Sequence, residues 1–344
     1  MTSLQVAVQH ALAGFPLPQW SVIAVRGGDR LRFIHNFCTQ HVQSLMPGQG
    51  GEAYFCNVKG KIIGHATILV GADTCWVIGV PGLAQRLLPH LERYIIRDDV
   101  TLQDISTAWE LWHLIGPQGP PVYQRLQRDM GGSGAVPNAC HLETTSSASA
   151  TSLVFWTDTI GLATVAWFGG QEGLLMVRRD DSERSADIPL ALRQLAASGD
   201  VVVGSPAEWH RWRIWAGFPL DGVDFDQSRL PQEVGRMSAC VSFRKGCYLG
   251  QEPIARLDAL GHTNQELRRL ASPEELDSSW NPAAHELMPT ESEQPVGWLT
   301  SWAPHPLQPG TIAWGYIKTA WQTPGTSLTT GQHLWTVLPP AGRG

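Results

Sequence analysis

A stretch late in the chain, RKGCYLGQEPIARLDALGH at residues 244–262, places a thiol directly before a predicted helix. Arg244 and Lys245 stand three and two residues before Cys247, and nearby cations favour the thiolate, the form of cysteine that attacks electrophiles and binds metals. The flanking glycines allow tight turns or a close approach of the backbone to a ligand. The spacing fits a reactive, exposed thiol; the alternative is a buried cysteine that packs as a small hydrophobic residue.

Two side chains downstream could assist this thiol. His262 is a candidate partner in a cysteine–histidine dyad, and Glu252 could act as an acid or base or simply cap the helix. No GxSxG, HExxH, phosphate-loop or dinucleotide-binding motif occurs in the chain. Spacing alone therefore leaves the type of reaction open.

The remaining cysteines form no CxxC pair, which argues against a zinc ribbon or a self-contained four-cysteine metal site. Most lie in apolar stretches, where a cysteine usually packs in the core. Cys56, beside the turn NVKGK, is the least settled of them. We expect reduced thiols and assign no metal ligand among them.

Tryptophan is unusually abundant, with 15 residues in the chain. Most of these side chains should pack in cores, but a planar heterocyclic ligand needs exposed aromatic faces on which to stack. Trp209 and Trp212 lie three residues apart on a predicted helix. A carboxylated ligand would also need cations, for which the candidates are Arg211, Arg213, Lys59 and Lys61.

Composition restricts the class of protein. With 43% hydrophobic and 16% charged residues in a chain of 344, we expect sizeable cores in two or three domains. The net charge of −6, without a basic run, argues against direct nucleic-acid binding. No apolar run reaches the ~18 residues of a membrane span, and the N-terminus lacks a basic signal-peptide region. We expect a cytoplasmic protein that does not associate with membranes.

The patterns around these residues predict a mixture of strands and helices. Asp29 can cap a helix over residues 31–45, and two strands joined by the turn Asn57–Gly60 follow. Ser205–Glu208 has the form of a capping box, and the helix that it opens should end at Gly217.

The predicted fold class is α+β, in four regions along the chain. An N-terminal α+β region covers residues 1–130, and small polar residues at 131–152 indicate a loop or junction. A second α+β region at 153–265 carries the cysteine motif. Short Trp-bearing strands at 266–344 predict an antiparallel β-barrel.

The stretch KGCYLGQE, followed by Ala255 and Arg256, resembles the signature of the YgfZ-type folate-binding proteins, which act in maintaining iron–sulfur enzymes and in the modification of certain tRNAs. The segment Leu230–Glu233, the helix end Ile214–Pro219 and the Gly60–Lys61 turn recur in the family in the same order. The family is similar to the glycine-cleavage T-protein. The resemblance implies intertwined α+β domains arranged as a ring around the folate, with a C-terminal antiparallel barrel.

The resemblance also implies which residues act. Tetrahydrofolate is the expected cofactor, and iron–sulfur enzymes are the expected protein partners, with any link to tRNA passing through them. Cys247 is the expected functional thiol, able to hold a cluster or sulfur species transiently or to attack a one-carbon adduct, and Lys245, Arg244 and Glu252 are its expected supporting groups. The expected folate contacts are Trp20, Trp209, Lys61, Tyr248, Gln251 and Arg256.

One departure from the T-protein bears on activity. That aminomethyltransferase uses an aspartate shortly after its glycine turn, whereas the matching residues 60–65, GKIIGH, contain no Asp or Glu. An imidazole does not supply the lasting negative charge of a carboxylate. We therefore do not expect aminomethyl transfer of the T-protein kind. The alternatives are a folate-dependent one-carbon transferase or demethylase that uses His65 or Glu252, and a non-catalytic scaffold for iron–sulfur enzymes.

Overall fold

The computed structural model describes residues 2–130, 151–170, 172–179, 190–261, 263–277, 280, 286–291 and 294–340. Most of the predicted polar junction at 131–152 and the candidate partner His262 lie outside these residues. The chain forms two compact units. Unit 1 comprises Met1–Phe55, Gly64–Pro206 and Ala239–Tyr248, and unit 2 comprises Cys56–Ile63, Ala207–Ser238 and Leu249–Gly344. Each unit draws on three segments, whereas the four predicted regions are each continuous.

Helices occur in both units. Their bounds are α1 Ser3–His10, α2 Arg30–Phe37, α3 Leu83–Glu92, α4 Gly119–Met130, α5 Leu190–Ala197, α6 Pro206–Ala216, α7 Pro231–Val234, α8 Met237–Cys240 and α9 Gln251–Leu260. None of these helices is long and apolar enough to cross a membrane.

The strands, again in chain order, are β1 Ala13–Leu17, β2 Ser21–Arg26, β3 Gly50–Cys56, β4 Ile62–Val70, β5 Thr74–Gly79, β6 Thr101–Asp104, β7 Trp109–Ile115, β8 Ser152–Trp156, β9 Ile160–Val165, β10 Glu172–Arg178, β11 Val202–Val203, β12 Gln265–Ser272, β13 Glu286–Pro289, β14 Gly297–Pro304, β15 Thr311–Lys318, β16 Ser327–Thr330 and β17 His333–Val337.

Unit 1 contains two sheets, with strand orders β11-β1-β7-β10-β9-β8 and β3-β4-β5-β2-β6. In the second sheet every residue of β4 is buried, as expected for an interior strand. The predicted turn between β3 and β4 is confirmed, because the Gly60 amide donates a 2.9 Å hydrogen bond to the Asn57 carbonyl. This sheet positions the polar side chains of β3 and β4 that are described below.

Unit 2 contains the predicted C-terminal barrel, which closes in the order β12-β15-β14-β13-β16-β17 with antiparallel pairing. Its interior is apolar and includes Leu270, Leu299 and the fully buried Trp335. The Trp-bearing strands therefore form the barrel that their spacing predicts. Together with the mixed sheets and helices of unit 1, this confirms the α+β class.

Helix α2 is shorter than predicted. It ends at Phe37 rather than near residue 45, because Cys38 turns into an extended conformation and pairs with Phe55 of β3. Asp29 precedes the helix, but its side chain does not cap it; the carboxylate accepts a 3.0 Å hydrogen bond from the Asp99 amide instead. The helix predicted after Ser205 is confirmed, since α6 ends just before Gly217, whose φ is +83°.

Candidate functional site

The loop of the KGCY motif is anchored by its lysine. Lys245 is 6% exposed, and burial lowers its pKa. Its ammonium donates hydrogen bonds of 2.5, 2.6 and 3.0 Å to the carbonyl oxygens of His35, Cys38 and Gln40. The same ammonium lies 4.7 Å from the ring centroid of Tyr248. A buried cation needs such partners, so Lys245 fixes the course of the loop against the end of α2.

Cys247 is exposed, whereas Cys38, Cys56, Cys75 and Cys240 are buried. Burial raises the pKa of Cys38 and raises the pKa of Cys75 to about 12, so these two thiols stay protonated at neutral pH. Arg244 is exposed on the same loop as Cys247. The Lys245 ammonium is bound to carbonyl oxygens, and a supporting role of Arg244 or Lys245 at Cys247 stays a prediction.

Downstream of the cysteine, the motif packs closely against the turn between β3 and β4. Gly250, with φ +83°, precedes helix α9, and a Cβ atom there would lie 2.4 Å from the Asn57 carbonyl oxygen. On the other side, a Cβ at Gly60 would lie 3.1 Å from Pro253. The glycine at 250 thus permits a close approach between two pieces of backbone in unit 2.

Next to this turn, unit 2 brings together cations, a carboxylate and aromatic rings. The Lys61 ammonium lies 3.9 Å from one Glu233 carboxylate oxygen, and Arg229 lies 3.9 Å from the other. The guanidinium carbon of Arg229 stands 4.1 Å from the ring centroid of Tyr316 and 5.2 Å from that of Trp298. A planar ligand with carboxylates could use groups of each of these types.

The two predicted folate tryptophans are both buried. Trp20 is 6% exposed and stacks on Trp167 in unit 1, with ring centroids 5.1 Å apart. Trp209 is 5% exposed in unit 2, where its ring meets Phe218 edge-on at 6.4 Å. A role of either indole in folate binding stays a prediction.

The other predicted site residues differ in exposure. Glu252 lies in the first turn of α9 and is exposed, as is Arg256 in the same helix. Gln251, the first residue of that helix, is half-buried, and Tyr248 is buried beneath the Lys245 ammonium. Their roles at a folate or thiol site stay predictions.

A second cluster of polar residues lies inside unit 1. The His65 imidazole on β4 points its Nε2 at Glu52 on β3, 3.0 Å from Oε2. Cys240, the last residue of α8, places its Sγ 3.5 Å from the same nitrogen and 3.9 Å from the same oxygen. All three side chains are buried. A thiol, an imidazole and a carboxylate therefore meet at one point in the interior.

Comparison with known proteins shows which families the chain is similar to. Residues 5–154 match the GCVT N-terminal domain family. A chloroplast protein of Arabidopsis thaliana, named as a transferase, is 28% identical over 333 residues, which are 95% of this chain and 70% of the relative. The tRNA-modifying protein YgfZ of Blochmanniella pennsylvanica is 23% identical over 272 residues, 78% of this chain and 74% of that protein.

Aminomethyltransferases match as well. The mitochondrial aminomethyltransferase of Gallus gallus is 26% identical over 314 residues, 89% of this chain and 74% of the enzyme. The crystal structure of the glycine cleavage system aminomethyltransferase T from Bartonella henselae has a TM-score of 0.77 at 19% identity, covering 98% of this chain and 88% of that chain. The chain therefore has the fold of the T-protein, and its sequence is similar to both the YgfZ proteins and the aminomethyltransferases.

In the structure, a carboxylate lies close to residues 60–65, which themselves contain no Asp or Glu. His65 stands in the stretch where the T-protein resemblance expects an aspartate, and Glu52 approaches it from the neighbouring strand. Glu52 is only 5% exposed, so its carboxylate is directed into the protein rather than at solvent.

Sequence reasoning missed Glu52 and assigned Cys240 to simple packing. Both lie in stretches that are otherwise small or apolar, GGEAYFC and MSAC. A carboxylate in an otherwise apolar strand is the signal that could have singled out Glu52, because buried charges are paired. The sequence around Cys240 contains no feature that predicts its contacts with Glu52 and His65.

Proposed function

We propose that this chain is a tetrahydrofolate-binding protein that supports the assembly or repair of iron–sulfur enzymes, including enzymes that modify tRNA, through Cys247. The observation that carries the proposal is the contrast between the lysine and the cysteine of the KGCY motif. Lys245 is buried and holds the loop, while Cys247 is presented to solvent. A cysteine held on an anchored loop is suited to meet a partner protein with little loss of conformational entropy.

Bound tetrahydrofolate would act as a carrier of one-carbon units. The cations around Lys61 suit one end of this molecule: Lys61 and Arg229 would hold the glutamate carboxylates. Trp20 and Trp209 are each proposed as stacking contacts, as the resemblance to the folate-binding proteins implies. Tyr248, Gln251 and Arg256 complete the proposed set.

Cys247 acts in this proposal as a transient ligand of an iron–sulfur cluster that passes to a partner enzyme. A thiolate is the usual protein ligand of such clusters. Arg244 on the same loop and Glu252 on the following helix are both exposed, and they are the proposed supporting groups. The net charge of −6 is consistent with action on protein partners in the cytoplasm rather than on tRNA directly.

The test of the thiol is complementation of a deletion strain. Cys247→Ala should bind tetrahydrofolate as the unmodified chain does but should fail to restore the activity of iron–sulfur enzymes. Full restoration by this variant would remove the thiol from the function.

The folate site is tested separately, by quenching of tryptophan fluorescence during titration with tetrahydrofolate. Lys61→Ala should weaken binding by about tenfold, the effect of losing a single charge-assisted hydrogen bond. Lys59→Ala, an exposed lysine on the same turn, is the matched control and should bind normally. Equal affinity of both variants would contradict the proposed placement of the folate carboxylates.

A further inference from the structure

We infer that Glu52, His65 and Cys240 form a binding site for a divalent transition-metal ion of the zinc type. The three donor atoms lie within 4.8 Å of one another, and no donor is exposed. This site is independent of Cys247 and of folate. It rests on the positions, separations and chemical types of the three side chains.

The separations of the donors match a shared ion. Nε2–Oε2, Nε2–Sγ and Oε2–Sγ are 3.0, 3.5 and 3.9 Å apart. A tetrahedral zinc ion with bonds of about 2.0–2.3 Å separates nitrogen, oxygen and sulfur ligands by about 3.4–3.6 Å. A point equidistant from three atoms at the observed separations lies about 2.0 Å from each. An ion fits between them with shifts of only a few tenths of an ångström.

The direction of the contacts distinguishes a metal site from a catalytic relay. In a nucleophile–histidine–acid relay, the thiol and the carboxylate bind opposite nitrogens of the imidazole. Here Sγ and Oε2 both approach Nε2. Convergence of a thiol, a carboxylate and an imidazole nitrogen on one point is the arrangement of ligands around an ion.

Charge and ligand type indicate which ion. A thiolate and a carboxylate balance the charge of a dication, and the neutral imidazole adds none, so the occupied site would be neutral inside the protein. Cysteine sulfur and histidine nitrogen bind zinc and its neighbours in the first transition series, whereas magnesium and calcium prefer oxygen alone. Three protein ligands leave one tetrahedral position for a water molecule or a further group.

The segments that carry the ligands are held together by hydrogen bonds of their own. The Thr39 hydroxyl donates to the Cys240 carbonyl at 2.6 Å and accepts from the Tyr54 amide at 2.9 Å. The Ser242 amide donates to the Thr39 carbonyl at 2.9 Å. Thr39 thus links strand β3 to the end of α8, and the cysteine is positioned opposite Glu52 and His65 before any ion binds.

The test uses the purified full chain, stripped of metal with a chelator and titrated with Zn²⁺ and with Co²⁺. We expect one equivalent of either ion per chain, and for Co²⁺ a near-ultraviolet thiolate charge-transfer band. Cys240→Ser should abolish the band and lower the affinity for zinc by at least about 100-fold, since loss of a second-shell partner alone costs 10–100-fold. Glu52→Gln should lower the affinity similarly.

Two control variants locate the site. Cys56→Ser removes another buried thiol and Cys247→Ser removes the exposed one, and both should bind one equivalent with the band intact. Circular dichroism checks that each variant is folded. X-ray absorption of the zinc-loaded unmodified chain needs no variant and should report one sulfur ligand. Absence of stoichiometric binding, survival of the band in Cys240→Ser, or its loss in Cys247→Ser would each overturn the inference.

Discussion

The Nε2 atom of His65 lies 3.0 Å from a carboxylate oxygen of Glu52, and both side chains are buried between neighbouring strands. The pairing means that replacing His65 by aspartate would place two carboxylates side by side in the interior. Like charges at this separation cannot both ionise at little cost, so one carboxyl group would hold its proton to a raised pKa.

His65→Asp should therefore become less stable as the pH rises from 5 to 8. The folded state would bind a proton that the unfolded chain has released, so the free energy of unfolding falls with increasing pH. His65→Asn, of similar size and without charge, is the control. In urea unfolding, the difference in the free energy of unfolding between the two variants should grow by about 1–3 kcal/mol from pH 5 to pH 8. A constant difference would contradict the prediction.

Lys245→Met should destabilise the protein by at least about 3 kcal/mol, because two buried carbonyl oxygens and one half-buried carbonyl oxygen lose their donor. Lys59→Met, at an exposed position, should change stability by less than about 0.5 kcal/mol. Chemical denaturation measures both. If the two variants were equally stable, Lys245 would not anchor the loop.

Gly250→Ala should cost more than Gly261→Ala, although both glycines have similar φ, +83° and +79°. The strain of a left-handed backbone, about 1 kcal/mol, is common to both substitutions. Only at Gly250 would the new Cβ approach a carbonyl oxygen, that of Asn57, at 2.4 Å; at Gly261 it meets nothing within 4 Å. The difference in unfolding free energy between the two variants measures the close approach, and a difference near zero would exclude it.

Asp224→Asn should destabilise unit 2 by about 3–5 kcal/mol, because the buried Arg213 guanidinium would lose its charged partner at 2.5 Å. Asp224 also binds Ser301 of β14 and the Leu220 amide. The control is Asp98→Asn, which breaks an exposed pair with Arg32 and should cost less than about 1 kcal/mol. Equal losses in thermal or urea unfolding would argue against the importance of the buried network.

Stability should fall as the pH drops from 6.5 toward 4. Burial, with the charges of Lys245 and His41, lowers the pKa of His35 to about 4. Between that value and the usual 6.5 the unfolded chain binds a proton that the folded protein does not, which removes up to about 3 kcal/mol. His35→Gln should reduce this dependence in urea unfolding between pH 7 and 5, while His90 and His210, whose pKa values burial also lowers to about 4, keep their share of it. His10→Gln, at an exposed site, should leave it unchanged.

The parts of the fold that could be predicted are those set by local pattern. The turn after β3, the helix that ends at Gly217 and the barrel of Trp-bearing strands each follow from turn residues, capping residues or strand periodicity within short windows. Helix α2 was predicted too long because its pattern continues past Cys38. Pairing of Cys38 with β3 ends the helix, and that pairing is not visible in a local window.

The candidate sites depend on contacts that span the chain. Lys245 binds a carbonyl 210 residues away, so its proximity to Cys247 in sequence suggested a partnership with the thiol that the ammonium's contacts do not favour. Cys240 and Glu52 are separated by 188 residues. Such pairs are fixed by the topology of the sheet and the loops, and residue spacing carries no information about them.

The exposure of Cys247 beside buried thiols makes the KGCY loop a natural attachment point for a spectroscopic reporter. Once Cys140, which lies outside the described residues, is replaced by Ser, a maleimide dye should react with the folded chain at position 247 and spare Cys38, Cys56, Cys75 and Cys240. A change in the emission of that dye would then report the approach of another protein to this loop in real time.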